Sequence, residues 1–141
     1  MSERRAVVAG HADFAAGMIS AIAQIAGRGE VFIPLSNRDL SAKDVEKEMR
    51  ALVSAPNVTT IFTDLPAGSC TMAARRLLRE RSDLVLVTGA NLASLLEFVF
   101  SESMGPAEAA RYAVERGRTA LAAIGTERGD AAGEPEAPRG N

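Results

Sequence analysis

Four short runs of apolar, mostly β-branched or aromatic residues, Arg5–Ala9, Val31–Leu35, Val58–Phe62 and Leu84–Thr88, each give way to a stretch whose apolar residues repeat at helical spacing. Runs of that length suit strands buried on both faces, and strands that alternate with amphipathic helices predict a doubly wound α/β fold. Its sheet is mainly parallel, with right-handed crossovers and helices on both faces. In the strand order 2-1-3-4 the first and third strands are neighbours and the chain leaves them in opposite directions. Ligands bind in the crevice beyond the carboxyl ends of such strands.

The helical stripes are Phe14, Met18, Ala21, Ile22 and Ile25 in the first helix, and Val45, Met49, Leu52 and Val53 in the second. Ser41 followed by Asp44 resembles a capping box opening the second helix. Met72, Ala73, Leu77 and Leu78 form the inner positions of the third, and Leu92, Leu95, Leu96 and Val99 those of the fourth. Pro106 opens a final helix with Ala110, Ala113 and Val114 on its apolar face. Beyond Gly117, Arg118–Ile124 reads either as a prolongation of that helix or as a short edge strand, and its alanines favour helix. From Gly125 onward aromatic residues vanish and aliphatic ones nearly do, so residues 1–124 are expected to form the domain and 125–141 a disordered tail.

The balance of charge narrows the function. Sixteen basic against 18 acidic side chains give a net charge of -2 without a Lys/Arg cluster, which argues against a nucleic-acid partner. Cys70 is the one cysteine, so no disulfide framework exists and a reducing compartment fits. Neither a signal-peptide core nor an apolar run long enough to span a bilayer is present, and the expected location is cytoplasmic.

The single histidine, His11, falls where the first strand passes into its helix, beside the expected crevice. One His and one Cys offer too few nitrogen or sulfur ligands for a typical transition-metal site. No Gly-x-Ser-x-Gly elbow accompanies it, so acyl transfer is disfavoured. The natural role is His11 as a nucleophile that holds a phosphoryl group, a reaction needing no cofactor. Asp64, at the end of the adjacent third strand, is the candidate acceptor for the other ring N–H, although it also suits a simple strand end. Gly68 lets the main chain approach closely, and the start of the third helix offers N–H groups to an anion. Ser69 suits a helix cap, a ligand contact or both. Asn91, at the exit of the fourth strand, either borders the same cleft or caps its helix. Asp13 suits a favourable charge on the first helical turn, and Cys70 a small packing residue.

Three segments carry a family resemblance: Gly10-His11-Ala12-Asp13-Phe14-Ala15, Phe62-Thr63-Asp64-Leu65-Pro66-Ala67-Gly68-Ser69, and Val87-Thr88-Gly89-Ala90-Asn91-Leu92 with Leu95-Leu96-Glu97. In order and spacing they resemble the signatures of the mannose-type IIA domain of the bacterial phosphoenolpyruvate-dependent sugar phosphotransferase system, over roughly Arg5–Ile124. The resemblance implies that His11 accepts a phosphoryl group on Nε2 from the phosphocarrier HPr and passes it to a IIB component, with Asp64 hydrogen-bonded to Nδ1. It also implies Ser69 as a phosphate-side helix-start residue, Asn91 as part of the fourth-strand signature, and membrane contact only through a IIC/IID complex. A homodimer exchanging a terminal strand is implied as well, with Arg118–Ile124 as that strand and Gly117 as its hinge. The tail resembles a linker to IIB, and because the chain ends there IIB is expected to be a separate polypeptide. Departures are Ala12 where the family commonly has Gly, and Ala67-Gly68-Ser69-Cys70 where it has Gly-Gly-Ser-Pro. Two other functions share these features: a regulatory protein that senses HPr phosphorylation, and the phosphotransfer subunit of dihydroxyacetone kinase, whose usual Gly-Thr-Ser segment is absent. A nucleotide-binding flavodoxin-like module lacks its Gly-x-Gly-x-x-Gly after the first strand.

Overall fold

A computed structural model describes residues 3–125. Apart from Gly125, the expected tail lies outside the described residues. Four parallel strands, β1 (Arg5–Gly10), β2 (Phe32–Ser36), β3 (Val58–Thr63) and β4 (Val85–Val87), form one sheet in the order β2-β1-β3-β4. This is the doubly wound order expected from the sequence. The helices are α1 (Phe14–Ala26), α2 (Ala42–Leu52), α3 (Ser69–Glu80), α4 (Leu92–Phe100) and α5 (Pro106–Ala120). A 3-10 turn, Gly29–Val31, takes the first residue of the expected second strand, and β4 is shorter than expected at both ends.

Alternate residues of the central strands enter two separate cores, as the period of two in a strand requires. Ala6, Val8 and Phe62 face α1, α4 and α5, whereas Val7, Ala9 and Ile61 face α2 and α3. The rings of Phe32, Phe62 and Phe98 meet in the first core, with Phe62 and Phe98 edge to face at 5.2 Å between centroids. Such pairs contribute roughly 0.5–1.5 kcal/mol beyond the area they bury. Arg4 closes the amino end of this core, its guanidinium 4.5 Å from the Phe98 ring centroid and donating to the carbonyls of Ser101 and Met104.

Two expected core residues are solvent-facing instead. Met72 is exposed because the inner face of α3 runs through Cys70, Ala73, Ala74 and Leu77 at spacings of three and four. Ile25 is exposed because the last turn of α1 turns Ile22 and Ala26 towards the sheet side. The Ser41 cap does form, its Oγ accepting from the Asp44 N–H at 3.1 Å. The helical reading of Arg118–Ile124 holds as far as Ala120. Leu121–Ile124 belong to no regular element, and no strand forms there among the described residues.

Gly117 is buried within α5, where a Cβ would stand 3.0 Å from Asn91 Oδ1 and 3.1 Å from Ser94 Cβ of α4. The glycine therefore sets how closely α4 and α5 pack. Gly117→Val is expected to destabilise the chain by about 1–3 kcal/mol through overpacking. Denaturant unfolding checks this, with a lower midpoint and an unchanged slope as the expected outcome.

Candidate active site

The carboxyl ends of β1 and β3 lie side by side, and each strand is followed at once by a polar residue. His11 follows Gly10, and Asp64 follows Thr63. Asp64 Oδ2 accepts the backbone N–H of His11 at 2.9 Å and lies 2.8 Å from its ring Nδ1. A carboxylate only accepts, so Nδ1 carries a proton in this contact, and in the neutral ring the lone pair then lies on Nε2. The imidazole is 52% exposed and the carboxylate 11%, so the pair presents the ring and shelters the group that orients it.

Gly10 makes the contact sterically feasible. A Cβ there would fall 2.8 Å from Asp64 Cγ and Oδ2 and 2.8 Å from the Phe14 ring, inside the closest approach real atoms make. Gly68 supplies the opposite wall. It precedes α3 with φ of 112° and ψ of 169°, a conformation essentially confined to glycine, and its Cβ position lies 3.5 Å from His11 Cε1. The first α3 hydrogen bond runs from Met72 N–H to Gly68 C=O, so the N–H groups of residues 69–71 precede the helical ladder. Buried Thr71 fixes this loop, its Oγ1 lying 2.7 Å from Thr63 Oγ1 and donating to Leu65 C=O at 2.6 Å.

Ser69 is the first residue of α3 rather than its cap, and its Oγ accepts from Asn37 Nδ2 at 3.1 Å. Asn91 is engaged elsewhere. Its Oδ1 accepts from Ser94 N–H at 2.9 Å, its N–H donates to Ser94 Oγ at 3.0 Å, and its Nδ2 donates to Gly117 C=O at 2.9 Å. The structure thus gathers His11, Asp64, Gly68 and Ser69 and assigns Asn91 to the α4 cap and the α4/α5 contact. Asp13 pairs with Arg38 at 3.1 Å on the surface, an exposed pair of small energetic weight.

The turn after β2 was not among the candidate residues. Asn37 N–H continues the ladder to Gly10 C=O at 3.1 Å, and Ser36 Oγ donates to Ala12 C=O at 2.8 Å. The available signal was positional, since β2 neighbours β1 and ends at the same edge. Ala12 itself sits at φ of 47°, in the left-handed region.

Burial pushes the Asp64 pKa up, but hydrogen bonds from the His11 ring and backbone N–H outweigh it and hold the carboxyl below the ordinary aspartate value. Burial, with the nearby Asp64 charge, pushes the Cys70 thiol up to about 11, so it is an inert packing residue. Among the described residues no group of three or more His, Cys, Asp or Glu is arranged to hold a metal ion.

A family model described as the PTS system fructose IIA component matches residues 5–115. The chain belongs to this mannose-type EIIA family. Among solved structures, phosphotransferase system component EIIA from Streptococcus agalactiae is 22% identical, with a TM-score of 0.77 over 86% of this chain and 98% of its own. The mannose/sorbose specific IIA subunit from Enterococcus faecalis is 20% identical, with a TM-score of 0.75 over 97% and 100% of the two chains. The PTS IIA protein associated with the fucose utilization operon from Streptococcus pneumoniae is 22% identical, with a TM-score of 0.75 over 86% and 93%. No curated protein sequence matches significantly. Membership gives this EIIA chain a phosphotransfer role in a sugar phosphotransferase system.

The Asp64 shift makes stability depend on pH with a definite sign. A carboxyl whose folded pKa is depressed contributes fully above its unfolded value of about 3.9, and the contribution is lost as pH falls through the folded value. Acid unfolding of Asp64→Asn is therefore expected to show a flatter dependence below about pH 4 than the unaltered chain. Thermal melts at stepped pH check it.

Proposed function

We propose that the chain is a phosphoryl carrier in which His11 Nε2 accepts the group from phospho-HPr and passes it to a IIB component during sugar uptake. The observation that carries this reading is the 2.8 Å contact between Nδ1 and Asp64 Oδ2, which in the neutral ring places the lone pair on Nε2 of a half-exposed imidazole. The Nε2 lone pair forms the new P–N bond as the P–N bond to the donor imidazole breaks, and that bond's electron pair stays on the donor ring. Positive charge develops on the His11 ring, where the ionised Asp64 stabilises it without taking the proton. The Ser69 hydroxyl and the N–H groups opening α3 serve, in this reading, as donors to the incoming negative charge. In this reading the transferred group never meets the sugar in this subunit, and the carrier works in the cytoplasm. Its contact with the membrane runs through the IIC/IID complex. Among the described residues no helix is long and apolar enough to cross a bilayer.

Incubation with phosphoenolpyruvate, enzyme I and HPr is expected to give an acid-labile phosphate on the unaltered chain and none on His11→Ala. Phosphorus NMR of the product reads which ring nitrogen carries it. A labelled His11→Ala chain would sink the proposal.

The same reading includes a homodimer built by exchange of the terminal segment. The outer edge of β4 has no strand partner among the described residues, and a groove of 690 Å³ lies between it and α5, lined by Val85, Val87, Ala110, Val114 and Arg118. Leu121 and Ile124 stand 83% and 84% exposed just beyond α5. In the proposed dimer Leu121–Ile124 of one copy extend along β4 of the other, covering an apolar edge that is otherwise a liability. Light scattering is expected to give a dimer for the full chain and a monomer for a chain ending at Ala120. A monomeric full chain at micromolar concentration counts against the exchange.

A further inference from the structure

We propose that Asn37 is a positioning residue for phosphoryl transfer, holding the Ser69 hydroxyl so that its proton is offered to the group on His11. The inference rests on the reading of His11 as the phosphoryl carrier.

Asn37 opens the turn after β2 and is pinned before its side chain does anything. Its N–H donates to Gly10 C=O and its C=O accepts from Leu40 N–H, both at 3.1 Å. On its amino side, Ser36 Oγ donates to Ala12 C=O and accepts from Arg38 N–H at 3.1 Å, tying the turn to the segment that follows His11. A backbone fixed on both sides leaves the half-buried side chain few places to go. The place it takes is Ser69, where Nδ2 donates to Oγ at 3.1 Å.

A serine hydroxyl has one proton and two lone pairs. With a lone pair occupied by the Asn37 amide, the hydroxyl proton must point away from Asn37. Ser69 directly follows Gly68, whose Cβ position is 3.5 Å from His11 Cε1, the carbon between the two ring nitrogens. Ser69 is therefore one residue from the main-chain wall beside the imidazole, and in the proposed role its proton, turned away from Asn37, is the one offered to a group on Nε2. An amide performs this orientation without adding charge. A carboxylate at the same position would instead accept the Ser69 proton and repel the phosphoryl group.

The test is a double-mutant cycle on the initial rate of phosphorylation by phosphoenolpyruvate, enzyme I and HPr, with thermal melts run alongside. Asn37→Ala is expected to slow phosphoryl gain roughly fivefold, the weight of one neutral hydrogen bond. Asn37→Asp, which keeps the shape and turn preference of the residue, should slow it more. In a Ser69→Ala background Asn37→Ala should have no further effect, because its target is gone. An Asn37→Asp chain that folds and gains phosphate at the normal rate overturns the proposal. So does an Asn37→Ala effect of the same factor with and without Ser69, which would place its action elsewhere. If the unaltered chain is not phosphorylated on His11, the carrier reading and this inference fall together. If it is, and the Asn37 variants match it, only this inference falls.

Discussion

A single oxygen, Asp64 Oδ2, accepts both from the backbone N–H that follows β1 and from the ring of the residue bearing it. That double acceptance links two neighbouring parallel strands at their carboxyl ends and orients the imidazole. A hydrogen bond to an ionised acceptor is worth about 1.5–3 kcal/mol, more than a neutral one, and partial burial protects it from solvent competition. The carboxylate can come this close because the intervening residue is Gly10. Any side chain there would occupy the space of Asp64 and of the Phe14 ring at once. The absence of a Cβ at one strand end is therefore as much a part of the site as the histidine.

The site inherits its rigidity from the two cores. β1 and β3 are the inner strands, buried on both faces, so the residues just beyond them have little freedom to separate. Hydrogen bonds extend this order past the strand ends. Thr63 C=O receives Ala90 N–H at 2.9 Å, and Thr71 ties the start of α3 to Thr63 and Leu65. The loop between Asp64 and Ser69 is thus held from beneath by buried hydroxyls, while Leu65, Pro66 and Ala67 stay exposed above it. The proposed carrier role would use this division, with a fixed orienting group below and an open face above the ring.

Much of this was legible from residues alone. The four apolar runs dictated a parallel sheet, a parallel sheet with this alternation has a switch point between its first and third strands, and the only histidine lay there. Asp64 could be named because it ends the adjacent strand. The helix faces were less secure at their margins: Met72 and Ile25 satisfy an apolar pattern, yet the helix phase is fixed by Cys70, Ala73, Ala74 and Leu77 in one case and by Ile22 and Ala26 in the other. Cys70 and Ala74 are small, so periodicity weighted by side-chain size favours their larger neighbour Met72. Asn37 stayed hidden for another reason. It is one polar residue in a polar turn, and its importance arises from a contact across 32 positions that no local pattern encodes.

Ala12 is held by the same turn. Where the family resemblance has glycine, this chain holds an alanine at φ of 47°, a conformation that costs an L-residue roughly 1–2 kcal/mol. The strain is located one residue after His11, next to the backbone N–H that Asp64 accepts. Ser36 braces this backbone by donating to Ala12 C=O, a hydrogen bond worth about 0.5–1.5 kcal/mol net and so of comparable size. The Ser36 oxygen also accepts from Arg38 N–H, which shapes the turn carrying Asn37. Bracing of the backbone beside His11 and placement of the amide beside Ser69 are thereby coupled through one hydroxyl. The left-handed backbone of Ala12 is braced by a neighbouring strand end, and β2 thereby joins β1 and β3 in building the site.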